Sequence, residues 1–458
     1  MDQINDVLSS ISSWLWGIPM IVLLVGTHIF LTIRLRFPQR YMWSAIKLSV
    51  KKDDSTGGDV SQFGALSTSL AATIGTGNII GVATAIGLGG PGAVFWCFIT
   101  GVFGIATKYG EGVLAVKYRS RTGYGKIIGG PMFALEKGLH QRWLAVLFCV
   151  FTASAAFGIG DAVQANAISE NLTTIIHSDA SSYGVRVVIG LVIATLTALV
   201  IFGGVKSISR ICSMFVPVMA AIYVIGCIVI LVMNKDVLWE SICWICSDAF
   251  SLKAGVGGAA GTAIMMTMRY GIARGLFSNE SGLGSAPIVA AAAQTKNPVR
   301  QGLVLASGAF WDTVVICTLT GLVVVSSVML NKDIDLGSSG VLTTMAFSKI
   351  PYIGAPLLTF GIVTFAFSTI LGWCYYGEKA IEYLFGSKMI TAYRCVWVLL
   401  IIVGSVVPLD LVWNFADSMN AMMAIPNLIA LLGLSGVIVA ETRKYLWNNN
   451  LEEEDKEI

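Results

Sequence analysis

Apolar residues run along this chain in long, nearly unbroken stretches separated by short polar connections. Eleven stretches can be counted, and most approach the ~20 residues that a helix needs to cross a bilayer. Strands of a membrane barrel would alternate apolar and polar residues and be about half as long. The pattern therefore predicts an all-α integral membrane protein with these segments: Leu15–Ile33, Leu66–Gly87, Ala93–Val113, Trp143–Val163, Gly184–Ile201, Ile211–Met233, Gly257–Ala293, Leu303–Val328, Pro356–Tyr375, Val396–Val407 and Met419–Ala440.

The Lys and Arg residues are distributed unevenly between the two sides of this predicted bundle. The ends of the odd-numbered segments and the connections that follow them, including seven residues from Lys108 to Arg142, contain 23 of the 30 Lys and Arg residues. The opposite connections contain five, while Arg269 and Arg274 lie inside the seventh segment. Because loops rich in Lys and Arg stay in the cytoplasm, we predict an N-terminus outside the cell and a C-terminus in the cytoplasm.

Composition removes several classes of function. Charged residues make up 12% of the 458 residues and hydrophobic residues 55%, whereas soluble domains contain about 25% charged residues. So little charge excludes a soluble enzyme, a disordered chain and a nucleic-acid-binding protein. We interpret the Cys243-x-x-Cys246 pair as structural because no thioredoxin-like context surrounds it. No Cys or His residues have the spacing of transition-metal ligands.

The second segment contains Gly75-Thr76-Gly77-Asn78 at its centre. Gly costs about 1 kcal/mol relative to Ala in a helix, and Asn is also a poor helix former. We therefore predict that this helix unwinds at mid-membrane depth. Unwound backbone is tolerated there only inside protein or beside a cavity, where its N–H and C=O groups can bind an anion and a cation. The alternative is close helix packing, for which small residues are also typical.

The seventh segment is too long for one span, and its middle is polar. Arg274, Asn279 and Glu280 lie there together with three Gly residues, and charged groups at this depth must face a cavity or a partner. We predict a second broken helix. The alternative, a loop between two short helices, would reverse all later segments and destroy the alternation of Lys and Arg.

The two predicted breaks lie five segments apart, so the broken helices run in opposite directions. Two five-helix halves that each open with a broken helix are typical of inverted-repeat transporters. We therefore expect one transporter domain over residues 1–458, consisting of an additional helix at 15–33, repeats at 62–233 and 250–440, and an acidic cytoplasmic tail at 441–458.

Several polar residues lie at membrane depth near these breaks. Asp312 lies near the middle of the eighth segment, and an intramembrane carboxylate indicates function unless it is paired with a cation such as Arg269 or Arg274. Hydroxyl residues could simply bond to their own helix carbonyls. Alternatively, their oxygens could form, with Asp312, a site suited to a hard cation such as Na⁺. The further polar residues that could contribute are Thr73, Thr76, Asn78, Asp161, Gln164, Thr364, Ser368 and Thr369.

Four motifs, in order, resemble the alanine or glycine:cation symporter family. They are Gly75–Gly81, Gly89–Trp96, Gly129–Phe133 and Gly275–Pro287, and the similarity covers nearly the whole chain. The family is bacterial and archaeal. The resemblance implies a leucine-transporter type of fold, a multi-pass protein of a prokaryotic cell membrane, and Na⁺- or H⁺-coupled uptake of small neutral amino acids such as alanine and glycine. It implies no cofactor beyond the coupling ion, and we expect a functional monomer.

The resemblance also implies a site. The substrate carboxylate would bind the Thr76 and Gly77 amides, and one Na⁺ would bind Asn78. A second Na⁺ would lie between two carbonyls of the second segment and the ninth segment, where Phe365 replaces a hydroxyl residue. The substrate ammonium would lie near the Thr73 carbonyl. The predicted substrate residues are Thr73, Thr76, Gly77, Gln164, Thr369 and Trp373, with Phe277, Ser278 and Asn279 named from their position in the second break alone. The implied Na⁺ ligands are Ala71, Thr73, Ile74, Asn78, Asp312, Gly361 and Thr364.

Two other classes of protein compete with a symporter. Gly158–Asp161 is a Gly-x-Gly-Asp motif, and with Asp312 it could form the shared-proton carboxylate pair of an intramembrane aspartyl protease. The protease hypothesis requires the carboxylates of Asp161 and Asp312 to be in contact. A channel is the other alternative, but no filter loop is visible. Specificity among alanine, glycine, serine and glutamine stays open, because one methylene changes discrimination by only about 1–3 kcal/mol.

Overall fold

The computed structural model describes residues 2–51, 57–122, 125–176, 183–251, 260–331, 342–407 and 409–455, with backbone alone for residues 2–5, 8, 260–263 and 409–412. The predicted start of the seventh segment at Gly257 lies outside the described residues. So do four residues counted in the charge distribution, namely Lys52, Lys253, Lys332 and Lys456.

The described chain is almost entirely helical, as the apolar pattern predicts. The only described strands form a short antiparallel pair, β1 (Ser120–Arg121) and β2 (Ile127–Ile128). The α-helices are α1 Asp2–Leu15, α2 Ile18–Arg34, α3 Met42–Val50, α4 Gln62–Thr73, α5 Val82–Gly89, α6 Ala93–Lys117, α7 Pro131–Phe133, α8 Arg142–Ala155, α9 Val163–Ile175, α10 Tyr183–Ile201, α11 Gly204–Met233, α12 Lys235–Asp248, α13 Ala260–Asn279, α14 Ala286–Ala290, α15 Pro298–Ala309, α16 Thr318–Leu330, α17 Leu342–Phe347, α18 Gly354–Phe385, α19 Ile390–Gly404, α20 Leu409–Gly433 and α21 Ser435–Thr442.

Several of these helices are joined by wider or tighter turns into longer rods. Wider π-helical segments at Ala156–Ala162 and Phe310–Cys317 connect α8 to α9 and α15 to α16. Such segments are frequent at functional sites because they displace side chains from the regular helical register. Three further π-helical segments are Gly77–Gly81, Ala134–Gly138 and Arg443–Trp447. Tighter 3₁₀ turns are Pro38–Tyr41 and Ser387–Met389.

The described helices account for the predicted segments. Eight are long and apolar enough to cross a membrane, or up to ten if each of two bent pairs is one span, Ser9–Leu15 with Ile18–Arg34 at 42° and Gln62–Thr73 with Gly77–Gly89 at 51°. The seventh predicted segment consists of α13 and α14, separated by a non-helical turn. Outward-facing residues of α10, such as Val188 and Leu199, are exposed and apolar, as expected for a surface in contact with lipid.

The helices around the two interruptions pack closely. α6 lies against both α13 and α15, while α4 lies against α11 and α18. Where α18 meets α4, a side chain at Gly372 would come within 2.8 Å of Ala72. Only Gly therefore lets these two helices approach this closely. The approach places the middle of α18 directly beside the end of α4.

The C-terminal tail folds back onto the helix ends. Asn297, which caps α15, donates from Nδ2 to the carbonyls of Leu451 at 3.2 Å and Glu453 at 2.9 Å. Lys51 forms an ion pair with Glu452 at 2.9 Å. This pair, together with Arg300, holds the pKa of the Glu452 carboxyl below its usual value.

Candidate functional site

The first interruption lies between α4 and the π-helical turn that starts at Gly77, as the Gly-Thr-Gly-Asn motif predicts. The side chain of Asn78 folds back over it, and its Oδ1 accepts a hydrogen bond from the Gly75 N–H at 2.9 Å. A side chain at Gly75 would come within 2.5 Å of Thr369 Oγ1. Gly75 is therefore required because α18 lies directly against the unwound residues.

Backbone carbonyls at the end of α4 meet two hydroxyls of α18. Thr369 Oγ1 lies 3.0 Å from the Ala71 oxygen, 3.3 Å from the Ile74 oxygen and 3.0 Å from the Phe365 oxygen. Ser368 Oγ lies 3.3 Å from the Ala71 oxygen and 2.9 Å from the Phe365 oxygen. Five oxygens from these residues thus form one buried group, which we call the carbonyl–hydroxyl cluster.

Two residues predicted to complete this group lie elsewhere on α18. A side chain at Gly361 would contact Tyr223 at 3.2 Å, and Thr364 Oγ1 donates to the Phe360 carbonyl at 2.6 Å. Gly361 and Thr364 therefore lie one to two turns before the α18 residues that face Ala71 and Ile74. The α18 turn that faces Ala71 and Ile74 contains Ser368 and Thr369, and Phe365 contributes its carbonyl, which needs no hydroxyl side chain.

The second interruption follows α13, and its backbone is irregular. Glu280, Gly282 and Gly284 have φ of 55°, 90° and 85°, a left-handed region that L side chains rarely adopt. Glu111 of α6 holds the turn, because its Oε1 accepts from Gly282 N at 3.0 Å, Gly284 N at 3.1 Å and Asn427 Nδ2 at 2.7 Å. The predicted second break is therefore present, and a carboxylate from another helix anchors it.

Asp312, in the π-helical segment before α16, joins the two interruptions. Its Oδ1 accepts from Asn78 Nδ2 at 2.7 Å, and its Oδ2 accepts from Ser278 Oγ at 2.8 Å and Thr313 Oγ1 at 2.6 Å. All four residues are buried. We call this group the Asp312 cluster, and it brings together three predicted site residues, Asn78, Ser278 and Asp312.

Asp312 is not paired with either arginine that was considered as its partner. Arg274 forms an ion pair with Asp417 at 3.6 Å and lies over the Trp413 ring at 4.8 Å. Arg269 donates to the Ser13 carbonyl at 3.4 Å. The hydrogen-bond donors to Asp312 are therefore neutral side chains. These contacts support the ion-binding interpretation of Asp312 over the ion pair with an arginine.

The structure brings some of the predicted substrate residues to the first interruption. Thr76 N donates to Gln164 Oε1 at 3.3 Å, and a side chain at Gly77 would meet the Phe277 ring at 3.1 Å. Thr369 faces Gly75, as described above. Thr76 Oγ1 is buried and has no hydrogen-bond partner in the described part of the chain.

Three other predicted residues use their side chains differently. Asn279 Oδ1 accepts from Ser281 N at 2.8 Å, within the second interruption. Trp373 packs on Gly160 and lies edge-on to Tyr376 at 5.5 Å. Thr73 Oγ1 lies 3.3 Å from the Leu70 carbonyl in its own helix, whereas the contact predicted with the substrate ammonium uses the Thr73 backbone carbonyl.

Two charged residues of α6 were missed as site residues. Lys108 was counted only as a charge at the cytoplasmic end of the third segment, but it is 1% exposed, and Glu111 is 2% exposed. Both belong to a continuous helix whose face covers the second interruption. A signal was available, because Lys108 and Glu111 fall within the predicted third segment, and charges at such depth indicate function.

The carboxylate pair that a protease would require is absent from the described residues. Asp312 is bonded to Asn78, Ser278 and Thr313, whereas neither carboxylate oxygen of Asp161 has a hydrogen-bond partner among the residues described. The two side chains therefore do not share a proton. What remains is a helical membrane bundle with two interrupted helices whose oxygens meet in its interior, which is the arrangement of a secondary transporter.

Comparison with known proteins identifies the family of transporters to which this chain belongs. The family model for the sodium:alanine symporter family matches residues 1–458. The sodium/alanine symporter AgcS of Methanococcus maripaludis is 49% identical over 97% of this chain and 98% of its own length. The probable sodium/glutamine symporter GlnT of Bacillus subtilis is 36% identical over 97% of this chain and 91% of its own. The chain belongs to the sodium:alanine symporter family, whose members are multi-pass transporters and not enzymes.

The fold also matches a solved structure. The crystal structure of MhsT in complex with L-phenylalanine superposes with a TM-score of 0.61 over 86% of this chain and 95% of that chain, at 13% identity. At this identity the likeness concerns the fold alone. It confirms the leucine-transporter type of architecture that the motifs implied.

Proposed function

We propose that this chain carries small neutral amino acids, alanine and glycine, into the cell together with Na⁺ by alternating access. The observation that carries the proposal is Thr369 Oγ1, which faces three carbonyl oxygens at 3.0–3.3 Å. One hydroxyl has a single proton to donate, so it cannot satisfy all three. An oxygen group with more acceptors than protons is suited to a hard cation.

The first proposed Na⁺ site is the carbonyl–hydroxyl cluster. Its ligands would be the carbonyls of Ala71, Ile74 and Phe365 and the hydroxyls of Ser368 and Thr369. Because the ligands come from both α4 and α18, a bound ion would hold these helices together. Release of the ion would let them separate, which is the kind of motion that alternating access requires.

The second proposed Na⁺ site is the Asp312 cluster. Ser278 and Asp312 supply a hydroxyl and a carboxylate, and Asn78 supplies an amide oxygen that at present accepts from Gly75 N at 2.9 Å. These residues come from both interrupted helices and from the π-helical segment between α15 and α16. An ion there would couple the two interruptions.

The proposed amino-acid site adjoins the first interruption. The substrate carboxylate would bind the Thr76 and Gly77 amides, and the 3.3 Å bond from Thr76 N to Gln164 Oε1 is long enough to be replaced by a charged acceptor. Phe277, packed on Gly77 and 4.8 Å from the Trp413 ring, would cover the side chain of the substrate. AgcS is named for alanine and covers nearly the whole chain, which supports alanine over a larger substrate.

The decisive experiment is uptake into proteoliposomes containing the purified protein. A panel of labelled alanine, glycine, serine and glutamine would be tested with an inward Na⁺ gradient, and with K⁺ replacing Na⁺ as the control. We expect alanine and glycine to accumulate only with the Na⁺ gradient. Equal uptake in K⁺, or uptake driven only by a pH gradient, would contradict Na⁺ coupling.

Orientation and assembly complete the proposal. The excess of Lys and Arg on one side supports a cytoplasmic C-terminus and an external N-terminus, and one chain contains both proposed ion sites. A reporter active only in the cytoplasm, fused after residue 458, should be active in cells. Activity of a periplasmic reporter at that position would reverse the topology.

A further inference from the structure

One face of α6 runs along the second interruption towards Asp312. A side chain at Gly101 would contact Thr313 at 2.7 Å, and one at Gly104 would contact Ser281 Oγ at 2.8 Å. Two turns beyond Gly104, Glu111 accepts from the Gly282 and Gly284 amides. Lys108 lies on the same face, four residues after Gly104. Its side chain is therefore placed between the second interruption and the segment that contains Asp312.

The Lys108 ammonium is surrounded by carboxylates but fixed to none of them. It interacts electrostatically with Glu280, Glu111 and Asp312, and its Nζ makes no hydrogen bond to any residue that the structure describes. One oxygen of Glu280 and one of Glu111 likewise lack hydrogen-bond partners within the described chain. All four residues are buried. The buried Lys108 ammonium thus has three anionic neighbours, and no hydrogen bond holds it beside any one of them.

The balance of charge around Lys108 changes when an ion binds to Asp312. Buried carboxylates need a nearby positive charge, and Lys108 supplies one positive charge to three carboxylates. With Na⁺ at the Asp312 cluster, the ion neutralises Asp312 and repels Lys108 towards Glu280 and Glu111. When Na⁺ leaves, Asp312 loses its cation. The four-carbon stem of Lys gives its ammonium the freedom to move between such positions.

We propose that Lys108 is a tethered cation that neutralises Asp312 when Na⁺ has left, so that the empty transporter can return to bind again. This inference rests on the proposed Na⁺ site at the Asp312 cluster. Lys108 would then compete with Na⁺ for Asp312 in one step of the cycle and replace it in another. Its removal should strengthen Na⁺ binding while slowing the return of the empty protein.

Two transport assays separate these steps. Net uptake into empty proteoliposomes requires the empty transporter to return, whereas exchange of external labelled alanine for internal unlabelled alanine, with Na⁺ on both sides, does not. Lys108→Met keeps the length of the side chain and removes its charge. We expect the ratio of net uptake to exchange to fall at least about fivefold, the lower end of measured coupling between sites. The Na⁺ concentration for half-maximal exchange should fall as well.

Further variants test whether the charge itself is responsible. Lys108→Arg retains the cation and should keep a near-normal ratio, and Lys126→Met, on the exposed loop before β2, should change nothing. Lys108→Met combined with Asp312→Asn leaves no unpaired carboxylate at the ion site, so the ratio should return towards that of the unmodified protein. If Lys108→Met does not fold, Lys108→Met with Glu280→Gln removes one charge of each sign, and a low ratio is expected from it too.

A purely structural role predicts a different result. Net uptake and exchange would then fall in equal proportion, and the ratio would stay constant in every variant, which would overturn the proposal. The unmodified protein serves as the test of the function itself. If it shows no Na⁺-dependent exchange of alanine, the proposed function fails, whereas normal exchange with an unchanged ratio in Lys108→Met refutes only the role of Lys108.

Discussion

The two interrupted helices are stabilised in different ways. At the first, the backbone amides of the unwound residues donate to neutral groups, Gly75 N to the Asn78 amide oxygen and Thr76 N to the Gln164 amide oxygen. At the second, the Glu111 carboxylate accepts from three donors at once. Hydrogen bonds to a charged group are roughly twice as strong as neutral ones. The first interruption can therefore exchange its bonds for a ligand, while the second is a fixed scaffold.

The largest effect that this comparison predicts is on stability at the second interruption. Glu111→Ala leaves the Gly282 and Gly284 amides and Asn427 Nδ2 buried without their common acceptor. Each of the three stranded donors costs about 1–3 kcal/mol, so we expect the free energy of unfolding to fall by about 3–9 kcal/mol. Thermal unfolding of the purified protein in detergent measures the change.

The control for this prediction is Glu170→Ala, which removes an exposed carboxylate at the far end of α9 and should leave the unfolding temperature nearly unchanged. Equal stability of the two variants would show that the second interruption does not depend on Glu111. The distinction drawn between a fixed and an exchangeable interruption would then be wrong.

The next largest effect concerns Asp312, where the two interruptions meet. Asp312→Asn preserves an oxygen but removes the charge, and a pair of unit charges about 4 Å apart is worth roughly 4 kcal/mol at an effective dielectric constant of about 20. We expect Na⁺ affinity to fall at least about tenfold, while the protein stays folded because the hydrogen-bond donors to Asp312 are neutral and Lys108 still has Glu280 and Glu111 as partners. Isothermal titration or Na⁺-dependent thermal shift would measure it. Unaltered Na⁺ affinity in a stable variant would end the ionic role of Asp312.

A smaller effect is expected at Asn78, which serves the first interruption. Asn78→Ala removes the bonds to Gly75 and Asp312, and a net hydrogen bond contributes about 1 kcal/mol. The Na⁺ concentration for half-maximal uptake should therefore rise about fivefold. Asn234→Ala, which removes bonds to Ser326 and Ser327 away from both interruptions, should lower stability without this change. Normal Na⁺ dependence of Asn78→Ala would leave Asn78 a structural residue only.

Most of the fold could be predicted from local sequence, because each span is a continuous apolar stretch. The interruption at Gly75–Asn78 was predictable for the same reason, since its Gly and Asn residues disfavour a helix over a few positions. The position of the break within the seventh predicted segment, Gly257–Ala293, was harder to predict. Its turn at Glu280 depends on Glu111, a residue about 170 positions away in the chain.

Site residues whose position one segment defines are easier to predict than those that depend on the alignment of two segments. Asn78 and Asp312 could be predicted as polar residues at membrane depth. The partners of Ala71 and Ile74 depend on how far α18 slides along α4, which close contact at Gly372 fixes. Lys108 was predicted at the end of the third segment because the apolar stretch stops at Val113, whereas the helix continues to Lys117.

The smallest expected effects test that alignment of α18 against α4. Ser368→Ala removes one hydroxyl of the carbonyl–hydroxyl cluster and should raise the Na⁺ concentration for half-maximal uptake about threefold to fivefold, because one neutral ligand contributes about 1 kcal/mol. Thr364→Val, an exchange of similar shape one turn earlier, should leave it unchanged, since that hydroxyl bonds only to carbonyls of α18 itself. Both are measured by Na⁺ titration of alanine uptake. If Thr364→Val weakened Na⁺ dependence and Ser368→Ala did not, the ion would lie at Gly361 and Thr364, and the helices of the working transporter would be aligned one turn differently.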